Sequence, residues 1–590
     1  MKSEQRKANR STLHWISSVA GKKKVNLIWL TVLQIVLGVS NIITALILGW
    51  VIDSAVAKDL PGFIRNAVEL IILMLLIVAA SAVNRYLIEY VKSDMENCFK
   101  GRLFQTILTR DYAHISSVHS GEWMNRLTSD TEIVANGVST IIPNVIGMLV
   151  RIVGALVLII RMMPFTGWIL LPAGVAFIIL TYIFRKKLKS LHKKVREANG
   201  RLRVFLSESI RSLMMVKTYV QEKHFEAEAQ KKMDEHRKAR MEKNHFSNIC
   251  NIGFGLGMDS AYFIGAIYCG YQILMGRMSY GSFTSVLQLI GQIQSPVANI
   301  TGYLPTYYAT LASAERLMEA ETLPESDPDQ VLSFQEVTDF YQHKFAGLRL
   351  EHVDFTYLPP VLDSADQDKS TMPIVIQDLN LVIPKGSYVA LTGTSGCGKS
   401  TIMKLLMCLY PLDAGERKIL LSSKGEIPLT DQYRRLYAYV PQGNQLMTGT
   451  IRDIITFGEN DSSQHDEKIW SALRIACAED FVRKLEDGLE TMLGERGAGL
   501  SEGQMQRIAI ARAIYSDNPI LMLDESTSAL DEVTEKKLLS NLKEMTDKTV
   551  IIVTHRLSVL SICTEQIVME PSGITIKPLN SVTSVSPVLC

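Results

Sequence analysis

The sequence predicts two domains of different class in one chain: an all-α membrane domain of six spans, then an α/β domain built around a glycine-rich loop. Three observations carry this expectation. Six long apolar runs lie in the first 320 of 590 residues. The charge balance inverts along the chain, with 37 Lys and Arg against 22 Asp and Glu over residues 1–320, and 25 against 38 over residues 321–590. A strand–loop–helix pattern from Val389 to Leu409 carries the spacing G-x-x-x-x-G-K-S. The composition, 47% hydrophobic and 21% charged, excludes a disordered chain, and 37 Gly and 19 Pro exclude a collagen-like or proline-rich fibre. Eight scattered cysteines form neither a metal spacing nor a disulfide framework, and they fit a reducing compartment.

The apolar runs are taken in order. Val25–Ile52 is 28 residues without a charge, about 42 Å as a helix and enough for a hydrocarbon core of about 30 Å. It is too long for a signal-peptide core and is read as a span. Ala67–Val83 is interrupted only by Glu69, and Ile133–Ile160 only by Arg151. Met162–Phe184 contains Pro164 and Pro172, and Phe246–Met275 is broken by Asp259. Met278–Ala314 would be about 55 Å as a helix, so its end projects into water. One such run could be a soluble core helix; six point to a membrane.

Basic residues set the orientation. They crowd the segment before the first run, the connection Lys92–Arg126 with five, and the connection Arg185–Lys243 with 18. The N-terminus, both long connections and the second half of the chain are therefore expected in the cytosol. The two connections read as continuations of the membrane helices. Short helices are expected at their tips, near Asp111–Glu122 and Ser207–Lys217. Their basic faces are either solvated or a docking surface for the acidic second half, and the charge split favours docking.

Residues 321–345 read as an acidic linker, 346–580 as the α/β domain and 581–590 as a tail. Val389-Ala390-Leu391 reads as a strand. Gly393-Thr394-Ser395-Gly396-Cys397-Gly398-Lys399-Ser400-Thr401 follows, opening the helical run Ile402–Leu409. Glycines let backbone N–H groups close around phosphates, and the helix N-terminus adds its dipole. Lys399 supplies a point charge to the phosphates, and the Ser400 hydroxyl ligates Mg²⁺. A second signal, Ile520-Leu521-Met522-Leu523-Asp524-Glu525, is a buried strand ending in two carboxylates. Asp524 suits Mg²⁺, and Glu525 is placed to polarise an attacking water.

Between these signals stands Leu500-Ser501-Glu502-Gly503-Gln504. The order of motifs resembles that of the ATP-binding cassette (ABC) transporters, and this segment looks like their signature, usually L-S-G-G-Q, with Glu502 at the departing position. The resemblance implies that Ser501, Gly503 and Gln504 contact a γ-phosphate. It implies that Tyr357 stacks on adenine, that Gln442 links Mg²⁺ and the attacking water to the membrane domain, and that His555 faces the γ-phosphate. Ser528-Ala529-Leu530-Asp531 resembles the loop that crosses the dimer interface. Thr491–Gly497 resembles the exporter loop that often begins Thr-Glu-Val, with Met492 and Leu493 in place of the last two. Asp363–Thr371 reads as a polar surface insertion.

The implied fold is an exporter-type six-helix membrane domain plus a P-loop NTPase cassette. The implied cofactors are ATP and Mg²⁺, with Ser400, Gln442 and Asp524 at the metal and Glu525, His555 and Gln442 catalytic. One chain has one phosphate loop and one signature, so a second half-transporter chain is implied: a homodimer by default, a heterodimer as the alternative. The implied activity is ATP-driven export of amphipathic small molecules, lipids or peptides across the plasma (inner) membrane. Uptake by an exporter-like fold, for example of metal chelates, and an ATP-gated channel or sensor remain the alternatives. Six spans argue against a soluble cassette acting on nucleic acid. Membrane lipid is an expected partner, and the transported substrate is open.

Polar residues inside spans are costly and often functional. The candidates are Asn84, Arg85 and Glu89, then Arg151, Asp259, Gln288, Gln292, Gln294 and Asn299, although Arg85 and Glu89 also suit an i, i+4 pair. Met148, Met258, Tyr262, Phe263 and Tyr303 either line an apolar cavity or pack the core. Cys397 lies in the phosphate loop itself, so alkylating its thiol is expected to block nucleotide binding.

Overall fold

The computed structural model describes the backbone of residues 2–326, 331–359, 372–443, 445–459, 465–494, 499–570 and 573–579. It describes side chains for all of these but 2–9, 164–183, 185–186, 258, 261 and 297–301. The insertion Asp363–Thr371, residues 495–497 of the exporter loop, the tail 581–590 and the side chains of Met258 and Asn299 lie outside the described residues. The chain divides into two compact units. One comprises residues 1–102 and 126–318, the other 103–125 and 319–590. The tip of the first long connection thus belongs with the second unit, which a linear boundary near residue 320 does not anticipate.

In the first unit each apolar run falls on a helix, to within two residues at its ends. These helices are Lys24–Val56, Leu60–Thr109, Thr131–Met162, Pro164–Arg211, Glu222–Leu274 and Tyr280–Glu321. Among the described residues, four helical stretches are long and apolar enough to cross a membrane: Arg10–Val56, Leu60–Thr109, Ser120–Met162 and Glu222–Leu274. Helices of 50 and 53 residues run about 75–80 Å, well past the hydrocarbon, so the two long basic connections are continuations of spans. Ile42, Ala45, Ala155, Ile159, Cys269 and Leu289 form one apolar cluster between them. A Cβ on Gly49 would lie 2.7 Å from the Gly281 carbonyl oxygen, so only glycine lets those two helices approach so closely. Asp53 finishes the crossing by accepting from the Gly281 amide at 2.7 Å and the Ser279 hydroxyl at 2.7 Å. At the other end of the helices, Asp130 is buried and accepts from Ser313 Oγ and Arg316 Nε, each at 2.8 Å.

The second unit holds two sheets. β1 (Phe345–Phe355), β2 (Ile376–Pro384), β4 (Ala414–Leu421) and β5 (Glu426–Pro428) form an antiparallel sheet in the order β2-β1-β4-β5. β3 (Tyr388–Gly393), β6 (Tyr437–Val440), β9 (Ile520–Asp524), β10 (Thr549–Val553), β11 (Glu565–Glu570) and β12 (Gly573–Pro578) form the other, in the order β12-β11-β3-β10-β9-β6. Its pairs from β11 to β6 are parallel. β7 (Gly449–Thr450) and β8 (Met492–Leu493) make a small hairpin-like pair. The parallel strands read as continuous apolar runs because both faces are covered. Val389, Leu391, Met522, Ile551 and Val553 pack into one core, and Ala390, Leu523, Val550 and Ile552 into the other.

The region read as a linker is partly built. Ser333 and Glu336 form a reciprocal cap on the helix Phe334–His343, which buries Val337 and Tyr341 in the same core as β1. The first hairpin tip, helix Tyr112–Ser117, buries Ala113 there too. Flanking backbone pairs with it: Asp111 N–H donates to Pro324 O at 3.0 Å, Ser326 N–H donates to Thr109 O at 2.9 Å, and Arg110 meets Glu325 at 2.8 Å.

Candidate active site

Parallel strands deliver their C-terminal ends to one edge of the sheet, and the motif residues collect there. β3 ends at Gly393, whose φ is +143° and where a Cβ would stand 2.3 Å from the Met569 carbonyl oxygen of β11. The loop then turns through Gly398, at φ +98°, into the helix Lys399–Leu406. Its first amides have no partner within the helix and suit an anion. Lys399 is 5% exposed, and its ammonium donates to the carbonyls of Gly393 at 3.0 Å and Thr394 at 2.9 Å. To reach a phosphate it must exchange those two acceptors. The Cys397 sulfur lies 3.9 Å from the same ammonium.

Ser400 Oγ donates to Asp524 Oδ1 at 2.9 Å, and Tyr439 Oη donates to Asp524 Oδ2 at 3.1 Å. Asp524 is 1% exposed, and burial pushes its carboxyl pKa up while the two hydroxyl donors oppose that rise. A serine hydroxyl beside a buried carboxylate is an all-oxygen donor set, which fits a small hard cation such as Mg²⁺.

Glu525 follows at φ +50°, an uncommon conformation for a residue with a side chain. Its amide donates to Val553 O at 3.0 Å, which fixes the turn to β10. Its carboxylate accepts from Gln442 Nε2 at 2.9 Å and lies 3.3 Å from His555 Nε2. Backbone strain of this kind persists where the surroundings over-determine it and clusters at functional sites.

The signature opens the helix Glu502–Tyr515, with Ser501 as its cap. Gln504 N–H donates to Ser501 Oγ at 3.3 Å, and Ser501 N–H donates to Gln504 Oε1 at 2.9 Å. A Cβ on Gly503 would stand 2.8 Å from Ala529 O, so this helix end meets the Ser528–Asp531 loop closely. Among the described residues no hydrogen bond or ion pair joins Ser501–Gln504 to Gly393–Thr401.

Tyr357 hydrogen-bonds Thr401 Oγ1 at 2.9 Å through its hydroxyl and stands edge-on to Tyr410 at 5.2 Å. Tyr410 in turn carries the hairpin tip: Tyr112 packs edge-on at 5.6 Å, and Ser116 Oγ lies 3.0 Å from its hydroxyl. The structure thus gathers Tyr357, Lys399, Ser400, Thr401 and Asp524 at one edge, with Glu525, Gln442 and His555 beside them.

Three residues escape the motif reading. Tyr439 reads as a strand residue and Tyr410 as a core aromatic. Gln506, inside the signature helix, donates to Ser528 Oγ at 3.1 Å and accepts from Ala529 N–H at 3.1 Å. Tyr439 and Tyr410 lie in apolar stretches and Gln506 has polar neighbours, so no local pattern points to any of them.

The span candidates scatter. Asn84 is buried with Oδ1 unpaired, and Arg151 Nε is buried and unpaired, among the described residues. Arg85 and Glu89 are both exposed and form no ion pair with each other, so the i, i+4 pairing is not realised. Asp259 and Gln288 are exposed along their helices. Met148 and Tyr303 meet at a cavity of about 300 Å³, lined also by Asn136, Thr140, Gly302 and Thr306.

Known proteins match both halves. A family described as the ABC transporter transmembrane region matches residues 27–297, and one described as ABC transporter matches residues 376–528. ABC transporter B family member 1 of Dictyostelium discoideum is 30% identical over 77% of this chain, which spans about half, 48%, of that relative. An ATP-dependent lipid A-core flippase of Aliivibrio fischeri is 26% identical over 88% of this chain and 86% of its own length. A solved structure, a bacterial Atm1-family ABC exporter with ATP bound, superposes with a TM-score of 0.71 at 22% identity, covering 92% of this chain and 93% of that one.

Proposed function

We infer the function of this chain from its family: it belongs to the ABC transporters, as a half-transporter in which a membrane domain is fused to one ATP-binding cassette, and it couples ATP hydrolysis to transport. We propose that it exports an amphipathic or lipidic molecule as a homodimer, with two composite ATP sites facing the cytosol. The observation that carries this reading is the pairing of Glu525 with Gln442 and His555 beside the Lys399–Ser400–Asp524 group.

The geometry and the family resemblance support the following roles. Lys399 leaves its two carbonyls for the β- and γ-phosphates, while the amides that open its helix cradle the same oxygens. Ser400 and Asp524 hold Mg²⁺, which when bound neutralises charge developing on the phosphates. Glu525 accepts the proton of an attacking water held in place by Gln442, and His555 donates to the γ-phosphate. Tyr357 stacks on adenine. The signature helix offers Ser501 and Gly503 to the nucleotide of a second chain, a need supported by their separation from this chain's own phosphate loop.

Lipidic cargo is supported by the name of the Aliivibrio fischeri relative and by the uncharged, mixed lining of the Met148–Tyr303 cavity. The test is ATP turnover of the purified chain alone in lipid nanodiscs, across lipids, hydrophobic drugs and peptides, with Glu525→Gln as the blank. Glu525-dependent turnover stimulated by one class identifies the cargo and shows that one chain suffices. Silence with every ligand points to a heterodimer. Accumulation in inside-out vesicles reads export, and depletion reads import.

A further inference from the structure

We propose that Tyr439 is a positioning residue that fixes the Mg²⁺-binding carboxylate of Asp524, so that one strand end, Tyr439–Gln442, holds both acidic groups of the site. The inference rests on the reading of Asp524 as the metal carboxylate.

Strand pairing puts the phenol there. β6 runs parallel to β9 with Tyr439 opposite Met522, so its side chain shares a face with Asp524 two residues further on. The phenol then leans along the strand to Asp524 Oδ2, at 3.1 Å. Ser400 Oγ takes Oδ1 from the other side, at 2.9 Å. Each carboxylate oxygen therefore has one hydroxyl donor, and the plane of the group is pinned from two elements. Three residues beyond Tyr439, Gln442 Nε2 reaches Glu525 at 2.9 Å.

Asp524 and Glu525 are adjacent in sequence and serve different chemistry, yet the same four-residue segment supports both. A displacement of this segment misaligns the metal carboxylate and the base together. Phenylalanine would fill the same apolar space, so the hydroxyl is the part that packing does not explain. Groups that orient a metal ligand through a hydrogen bond typically contribute 10–100-fold to metal affinity when removed.

The test uses the full chain in nanodiscs with Glu525→Gln to stop turnover. Mn²⁺ binding in the presence of ATP is followed by electron paramagnetic resonance. Tyr439→Phe is expected to weaken Mn²⁺ binding about tenfold or more, while ATP affinity without divalent cation and the thermal melt stay as in the parent. Mn²⁺ affinity within about twofold of the parent overturns the proposal. An equal loss of metal-free ATP binding also overturns it, since that marks a packing role. Asp524→Asn separates the two levels: it is expected to abolish Mn²⁺ binding, and if binding persists, the reading of Asp524 itself falls and Tyr439's role falls with it.

Discussion

The short helix Tyr112–Ser117 at the tip of the first long connection buries Ala113 in the cassette core and sets Tyr112 edge-on to Tyr410. Its counterpart at the second turn, Leu213–Thr218, buries only Val216 and leaves Leu213, Met214 and Met215 exposed, Met214 by 81%. Tyr219 and Val220, just beyond, are exposed as well. Both tips are apolar, and among the described residues the second leaves most of its apolar side chains exposed. A contiguous apolar patch of this kind marks a surface that works against another one. Under the dimer proposed above, the cover expected for this patch is the cassette of a second chain.

The largest expected effect sets the floor for that comparison. Glu525→Gln should lower ATP turnover about 10²–10⁴-fold whatever the state of either tip, measured as phosphate release. Next comes the uncovered tip. Replacing Met214 and Leu213 together by Asp should cut turnover about 30-fold, as loss of an interface hot spot does, and leave the melting temperature of the chain unchanged. An unchanged turnover would mean that nothing docks there.

The covered tip should behave in the opposite way. Ala113→Leu overpacks a core position and is expected to cost about 1–3 kcal/mol, seen as a lower melting temperature of the cassette. The smallest effect is at Tyr410→Phe, which keeps the rings and removes the bond to Ser116. About 1 kcal/mol of stability is at stake there, and a double-mutant cycle with Ser116→Ala isolates it. Coupling near zero would mean that the Ser116–Tyr410 bond adds nothing to the attachment.

The sequence was most informative where function compresses chemistry into a short stretch. Lys399, Ser400, Asp524 and Glu525 stand in contiguous motifs, and the structure gathers them at the strand ends their spacing implies. The six runs were legible because a bilayer demands length. What escaped was pairing across the chain. Tyr439 and Gln506 act through partners 85 and 22 residues away, and nothing local distinguishes them from core. The docking of the first tip was legible in the charge split, but its apolar part was not. Opposite net charges favoured a dock, and the tip does dock, with the ion pair Arg110–Glu325 joined by Ala113, Tyr112 and two backbone bonds. Net charge sums over a whole domain, whereas docking depends on what a few side chains touch.

The attachment of that tip also sets a timetable for biosynthesis. Ser116 and Tyr410 are 294 residues apart. At about 5–20 residues per second, the ribosome reaches Tyr410 on the order of 15–60 s after it has made the tip. During that interval four further membrane runs are synthesised, and the tip's apolar residues stay without the core that later covers them. Newly made chains therefore pass through a stage at which this turn is a natural client for a chaperone, and a pause in translation before Tyr410 would prolong it.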